Sequence, residues 1–96
     1  MSYKKPEDVV SPRRSWHLFE VIDDRGEDKP AYALGTWEGE RRIGFRWNGT
    51  SDSPIGNPQS RGLPTWIMLD EALHEAVVEI IPEEKKLIAK AFLKLK

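Results

Sequence analysis

The clearest alternation of apolar and polar residues in the chain runs from residue 32 to residue 47 and predicts one β-hairpin with two unlike faces. Gly39-Glu40 suits a type II′ turn, because glycine in the first turn position supplies the positive φ that this turn needs. The register that follows places Trp37 opposite Arg42 and Gly35 opposite Gly44. The apolar face of the hairpin then carries Tyr32, Leu34, Thr36, Ile43, Phe45 and Trp47.

Two further segments extend this hairpin into a sheet. Residues 15–22 alternate with apolar side chains on both faces, which is typical of a strand covered on both sides. A polar turn leads from it to the hairpin, so we predict a three-stranded antiparallel meander. In that meander Phe19 and Val21 join the apolar face, and Glu20 lies on the opposite face. Residues 65–69 are short and β-prone and form a candidate fourth strand.

The last third of the chain has the spacing of two amphipathic helices. Asp70 is a predicted N-cap of the first helix, although the β-branched residues within 75–81 leave a strand as the alternative there. Pro82 suits the first turn of the second helix, which has acidic residues at its positive end and lysines up to Lys96 at its negative end. The stripes that we expect to be buried are Ala72, Leu73, Ala76, Val77, Ile80 and Ile81 in the first helix, and Leu87, Ile88, Ala91, Phe92 and Leu95 in the second.

Length and composition limit the fold to one domain. With 96 residues, of which 39% are hydrophobic and 32% charged, the chain can enclose one core but not two. We predict an α+β fold, in which a three- to four-stranded antiparallel sheet, arranged as a meander, has the two C-terminal helices packed on one face. Residues 15–96 form this domain. Residues 1–14 are predicted as a flexible N-terminal arm, or alternatively as an arm that wraps a partner subunit through Tyr3 and Val9-Val10.

Charge and residue types exclude several classes of function. The 15 basic and 16 acidic residues give a net charge of -1, so the field of the whole molecule does not attract nucleic acid or an anionic membrane. The absence of cysteine excludes disulfides and thiolate chemistry. No apolar run approaches the about 18 residues of a spanning helix, and no secretory signal is visible. We therefore predict a cytoplasmic protein without a membrane partner.

The second face of the hairpin is the first candidate site. It carries Trp37, Arg42 and Arg46 among small residues, with Trp16 as a further aromatic side chain. Such a face binds single-stranded nucleic acid by stacking, worth about 1 to 3 kcal/mol per base, or holds an anionic ligand through bidentate hydrogen bonds. The alternative is structural: Glu20 pairs with one arginine, the other arginine stacks on Trp37, and the glycines admit a packed helix or a second subunit.

The loop over residues 48–64, with its glycines and prolines, is the second candidate site. Connections of this length usually carry function or are disordered, and both an ordered and a mobile loop remain open. Backbone amides beside its glycines, with Arg61 nearby, can form an anion nest. A pocket between the sheet and the loop, lined by Trp47 and Trp66, would suit a small ligand or substrate. A plain connection or an interface segment is the alternative.

No catalytic constellation is visible in the sequence. His17 lies on a predicted strand and His74 on a predicted helix, and each is interpreted as an ordinary surface histidine. No nucleophile elbow, paired helix histidines or calcium loop occurs, and nothing in the spacing indicates a metal or a cofactor. We therefore name no catalytic residue, no metal ligand and no cofactor, and an enzyme is the less favoured interpretation.

Two motifs in the middle of the chain resemble a known group of proteins. They are RWNG at residues 46–49 and GNPQSRGLPTW at residues 56–66. The pattern is similar to that of short bacterial proteins of unassigned function, some of them carried on mobile gene cassettes, and it covers the middle third of the chain. The resemblance implies a stand-alone cytoplasmic bacterial protein and transfers no functional residue.

The tryptophan content favours an interface. Four tryptophans are more than one small core easily encloses, and tryptophan is enriched where proteins associate. We predict a small non-enzymatic binding or interaction module that acts as a homodimer. The alternatives are a sheet-face binder of single-stranded nucleic acid or an anionic ligand, and a small enzyme or ligand-binding protein with a pocket under the loop. The residues predicted to bind the ligand or partner are Trp37, Arg42, Arg46, Arg61 and Trp66.

Overall fold

A four-stranded antiparallel sheet with two C-terminal helices forms the protein, as the computed structural model shows for residues 3–95. The predicted α+β fold is confirmed. In the sheet the strands lie in the order β1-β2-β3-β6, while β4 and β5 pair with each other. Met1 and Ser2 of the predicted arm, and Lys96 of the second helix, lie outside the described residues. The elements are β1 (Trp16–Asp24), β2 (Pro30–Trp37), β3 (Glu40–Trp47), β4 (Gln59–Ser60), β5 (Leu63–Pro64), β6 (Ile67–Met68), α1 (His74–Ile80) and α2 (Glu83–Leu93), with short 3-10 helices at Pro6–Asp8 and Glu71–Leu73.

The β2–β3 hairpin turns at Glu38 and Gly39, one residue earlier than predicted. Both residues have positive φ, 51° and 86°, which is the conformation of a type I′ turn rather than a type II′ turn. Gly35 therefore pairs with Arg42 instead of Gly44, and the predicted register is wrong by two residues. Because side chains alternate with a period of two, this shift leaves the two faces as predicted.

Two β-bulges in β1 exchange the faces of its side chains. The register with β2 shifts after Leu18 and again after Val21, because each bulge inserts one residue and resets the alternation. Ile22 thereby enters the core beneath the helices, whereas Val21 packs on the opposite face. Glu20 points toward the helices and its carboxylate lies 2.5 Å from the ammonium nitrogen of Lys85. The predicted positions of Val21 and Glu20 are therefore wrong.

The sheet separates two hydrophobic cores. The first core lies between the sheet and the two helices, and the second core lies on the other face, beneath the N-terminal segment and the residues before β6. Both faces of the central strands are covered, so the face that the helices do not cover is closed as well. The buried residues are Ile22, Leu34, Ile43, Val77, Val78, Ile81 and Ala89 in the first core, and Val9, Trp16, Ala31, Ala33 and Trp66 in the second.

The N-terminal segment lies along the second core. Val9 is fully buried, and its carbonyl accepts a hydrogen bond from the indole nitrogen of Trp66 at 2.6 Å. The backbone amide of Lys4 donates to the carbonyl of Pro54 at 2.9 Å. Residues 3–14, for which we predicted a flexible arm, are therefore packed against the sheet of their own chain.

Helix α1 occupies the segment for which a strand was the alternative. Asp70 caps the 3-10 turn before it, as predicted, by accepting a hydrogen bond from the amide of Ala72 at 2.9 Å. The helix itself begins later than the predicted stripe, so Ala72, Leu73, Ala76 and Ile80 are exposed. Its buried residues instead recur at spacings of three and four, which is the pattern of one helical face. They are His74, Val77, Val78 and Ile81.

His74 is buried in this stripe and is not the surface histidine that we predicted. It is 4% exposed, and its Nε2 accepts a hydrogen bond from the backbone N–H of Ile43 at 3.3 Å. The pairing of β3 with β6 covers only two residue pairs and ends just before this amide, so the imidazole satisfies a donor that the short β6 leaves open. Burial, and secondarily the charge of Arg42, lowers the pKa of His74.

Acid is therefore expected to destabilise the fold through His74. Because its pKa is lower in the folded chain than the ordinary value of 6.5, its contribution is complete above that pH and is lost as the pH falls below it. We expect the urea midpoint to fall between about pH 7.5 and pH 5.5, and to fall less in His74→Gln, whose amide oxygen still accepts from Ile43. His17→Gln, at an exposed position, is the control and keeps the wild-type slope. An unchanged slope in His74→Gln would contradict this role.

Candidate functional site

The second face of the sheet, which carries most of the predicted binding residues, is closed. Trp16 lies across it, so that a Cβ atom on Gly35 would meet the Cη2 of this ring at 2.3 Å and one on Gly44 would meet it at 3.2 Å. The glycines therefore admit a tryptophan ring of the same chain. The open face expected around the arginines does not form. The structural alternative was right that the glycines admit a packed group, but the group is a ring of the same chain, and Glu20 pairs with Lys85 rather than with an arginine.

Arg46 lies on this closed face and holds the long loop. Its side chain is 0% exposed, and its guanidinium donates through Nη1 to the carbonyl of Thr65 and through Nη2 to the carbonyl of Ile55. The centre of the guanidinium lies 6.0 Å from the ring centre of Trp66. Desolvation lowers the pKa of Arg46 to about 10, so the group is still charged at neutral pH. Arg46 thus binds backbone oxygens of its own chain.

The other four predicted binding residues have different environments. Trp66 is buried and Trp37 half-buried in the second core. Arg42 forms ion pairs with Glu40 at 2.7 Å and Glu71 at 3.3 Å. Arg61 is exposed at the turn between β4 and β5. The structure brings Arg46 and Trp66 together but does not assemble the five residues into one surface.

The loop over residues 48–64 folds back on its own start. Trp47 and Asn57 pair through both backbone groups, with N–O distances of 2.7 and 2.9 Å, and close the loop. A Cβ atom on Gly56 would meet the carbonyl oxygen of Trp47 at 2.2 Å, so the space beneath the loop is filled and Gly56 offers no open anion nest. Trp47 follows the alternation of the helix-covered face, whereas Trp66 lies in the second core. The predicted pocket between these two rings is therefore not formed.

The RWNG motif has a structural explanation in this loop. Asn48 is buried, and its side-chain amide donates to the carboxylate of Asp24 at 2.8 Å and to the carbonyl of Gly26 at 2.9 Å. The hydroxyl of Tyr3 donates to the same carboxylate at 3.0 Å. Together with Arg46, Asn48 fixes the loop to the end of β1 and to the N-terminal segment. The motif residues thus serve the loop conformation.

Helix α2 presents to solvent apolar side chains that we predicted to be buried. Ala89 faces the first core, flanked by the partly buried Lys85 and Lys86. Leu87 is consequently 81% exposed, and Ala91 is exposed as well. The predicted burial of these two residues is wrong, because the small side chain of Ala89, rather than the larger ones, is the one turned toward the sheet.

An open groove of about 500 Å3 lies next to Leu87 on this helix. At the groove, Phe19 is 54% exposed and stacks on Phe92, with ring centres 4.7 Å apart and planes inclined by 11°. Arg41 lies at its edge, with its guanidinium 4.8 Å from the ring centre of Phe92. The lining is otherwise apolar. We call the surface formed by Phe19, Leu87, Ile88, Ala91 and Phe92 the α2 face.

Two unlike charges flank Leu87 at equal spacing. Glu84 lies three residues before it and Lys90 three residues after it, so the two charges lie on opposite flanks of Leu87. Within residues 3–95, Glu84, Lys90 and the Arg41 of the groove take part in no ion pair. The α2 face thus has an apolar centre and unpaired charges of both signs at its edges.

The sequence did contain a signal for this surface. The apolar residues of α2 cover more than half of the helix circumference, which is more than one stripe facing a core needs. The predicted stripe assigned Leu87, Ile88, Ala91 and Phe92 to the core, which left no reason to look for a second apolar surface. The relevant residues are Leu87, Ile88, Ala89, Ala91, Phe92 and Leu93.

Comparisons with protein-family models, with curated proteins and with solved structures found no match. In the part of the chain that the structure describes, no three histidine, aspartate or glutamate side chains come together as a metal site requires. No helix in residues 3–95 is both long enough and apolar enough to cross a membrane. The resemblance to short bacterial proteins stays a prediction, and the function has to be argued from the surfaces of the molecule.

Proposed function

We propose that the protein is a small non-enzymatic interaction module that acts as a homodimer through its α2 face. The observation that carries this proposal is Leu87, which is 81% exposed beside a mostly apolar groove of about 500 Å3. Burying a leucine side chain is worth about 1.5 to 3 kcal/mol. An apolar side chain next to an apolar groove on one helix is self-complementary, which is what a twofold interface requires.

The dipole of α2 favours an antiparallel arrangement of the two copies. Antiparallel helices place the positive end of one dipole beside the negative end of the other. With the twofold axis at Leu87, the two Leu87 side chains meet at the axis, and the two grooves lie on either side of this contact.

The size of this contact predicts a weak dimer. Helix α2 has 11 residues, which corresponds to a length of about 16 Å. A contact built on this helix and one neighbouring strand residue lies at the small end of specific interfaces, so we expect a dissociation constant in the micromolar range, on the order of 10 μM.

The other two interpretations of the sequence receive less support. Single-stranded nucleic acid on the second face of the sheet would need exposed rings and open glycines, and Trp16 covers Gly35 and Gly44 there. An enzyme with a pocket beneath the loop would need space that Arg46 and Gly56 occupy. The α2 face is the surface whose exposed apolar area fits a stated partner, a second copy of the chain.

Leu87→Asp is expected to convert the dimer into a monomer. The substitution removes the central apolar contact and places two carboxylates near the twofold axis, while the exposed position leaves the stability of the fold nearly unchanged. Sedimentation at about 100 μM should give a dimer for the wild type and a particle of 11.0 kDa for the variant. Leu63→Asp, at a leucine that is 58% exposed on β5, is the matched control and should remain dimeric.

The same measurement decides the proposal. A monomeric wild type at about 100 μM, or a dimer that persists in Leu87→Asp, would overturn it.

A further inference from the structure

A second open groove lies between the N-terminal segment and the first residues of β1. Its volume is about 490 Å3, which is within the range of small-molecule sites. A smaller cavity of about 260 Å3 shares Val10 and Arg13 with it and adds Lys4. The larger groove is lined by Val10, Arg13, Trp16, His17 and Leu18.

The polar side chains at this groove favour a negatively charged ligand. Arg13 is exposed and, within the described residues, forms no ion pair. No acidic residue lines the larger groove, and the smaller cavity has one carboxylate, Asp8, opposed by Lys4 and Arg13. A guanidinium binds a carboxylate with two parallel hydrogen bonds, so Arg13 offers a directional site and not only a charge.

Trp16 supplies an apolar wall with an unused hydrogen-bond donor. The residue is 1% exposed, and its Nε1 has no acceptor within residues 3–95. The indole nitrogens of Trp47 and Trp66, by contrast, donate to Asp28 at 2.9 Å and to Val9 at 2.6 Å. A buried donor without an acceptor is uncommon in folded proteins, and the N–H of this residue, which lines the groove, can report on binding there.

We propose that this groove binds a small aromatic carboxylate. The ring packs against Val10 and Leu18, which are half-buried at the groove, and the carboxylate accepts hydrogen bonds from Arg13. The apolar lining favours a ring, and the free guanidinium favours a carboxylate. The site is distinct from the α2 face and does not depend on dimer formation.

Titration with sodium 2-naphthoate tests the proposal. In the full chain labelled with nitrogen-15, the indole N–H resonance of Trp16 is expected to move progressively up to about 10 mM probe, while the indole resonance of Trp47 stays in place. A probe of this size is expected to bind with a dissociation constant in the millimolar range, about 1 mM. The neutral 2-naphthamide, which has the same ring, should bind about tenfold more weakly.

Two neighbouring arginines provide matched variants. Arg13→Gln should lower the affinity for 2-naphthoate about tenfold and leave the affinity for 2-naphthamide unchanged. Arg14→Gln removes an adjacent exposed arginine that lines neither cavity, and it should bind both probes like the wild type. No movement of the Trp16 resonance, equal affinity for the acid and the amide, or equal losses in the two variants would each overturn the assignment.

Discussion

Arg46→Ala is expected to lower the free energy of unfolding by about 3 to 5 kcal/mol, a large share of the stability of a small domain. The wild-type guanidinium donates to the carbonyls of Ile55, within the long loop, and of Thr65, directly after it. Removing it leaves both acceptors without a donor, at about 1 to 3 kcal/mol for each one that stays buried, and creates a cavity beside Trp66. Urea unfolding followed by tryptophan fluorescence measures the loss.

Arg42→Ala is the control for this expectation. Arg42 lies on the same face of the same strand, but its ion pairs with Glu40 and Glu71 involve carboxylates that are 70% and 76% exposed. Pairs of this kind contribute about 1 kcal/mol or less, so the control should unfold close to the wild type. If Arg46→Ala does not fold, Arg46→Lys keeps the positive charge but not the planar guanidinium. Its free energy of unfolding should lie between those of Arg46→Ala and Arg42→Ala. Similar losses for Arg46→Ala and Arg42→Ala would contradict the assigned role.

The faces of the central hairpin could be predicted from the sequence because the rule behind them is robust. Side chains alternate with a period of two, so a register shift of two residues leaves Leu34 and Ile43 on the same face of the sheet. The register was less secure, because it depends on whether Glu38 accepts a positive φ, and the identity of that residue gives little warning. The bulges in β1 have no strong sequence signature, and each one reverses the alternation after it.

The candidate site was harder to predict because it depends on where distant segments run. An arginine on one face of a strand has the same local pattern whether it binds an external anion or the chain's own carbonyls. Arg46 does the latter because the loop brings Ile55 and Thr65 over it, and no local periodicity encodes that path. The orientation of α2, which exposes Leu87, is set in the same way by the close packing of Ala89. The sequence pattern does not indicate that this small side chain, rather than a larger one, faces the core.

Gly35→Ala is the second substitution expected to have a large effect, about 3 kcal/mol or more. The new methyl group would lie 2.3 Å from Cη2 of Trp16 and 2.6 Å from the carbonyl oxygen of His17, and the second of these atoms belongs to the backbone of β1. Neither can retreat without separating β1 from β2, which are paired through this segment. Guanidinium chloride unfolding at neutral pH measures the effect.

Gly44→Ala separates this steric effect from the general consequences of replacing glycine. Both variants restrict the unfolded chain equally, a change that by itself stabilises by about 0.4 to 1 kcal/mol. At Gly44, however, the nearest atoms are side-chain carbons at 3.2 to 3.3 Å, in Trp16, Trp66 and Met68, so shifts of a few tenths of an ångström suffice. We therefore expect a loss of about 1 kcal/mol or less there.

Trp16→Phe should reduce the loss of stability caused by Gly35→Ala, because it removes the ring atom that the methyl group meets. The loss that remains then reports the contact with β1. Equal losses at the two glycines would mean that Trp16 does not lie across the sheet as described, and the closed second face would have to be abandoned.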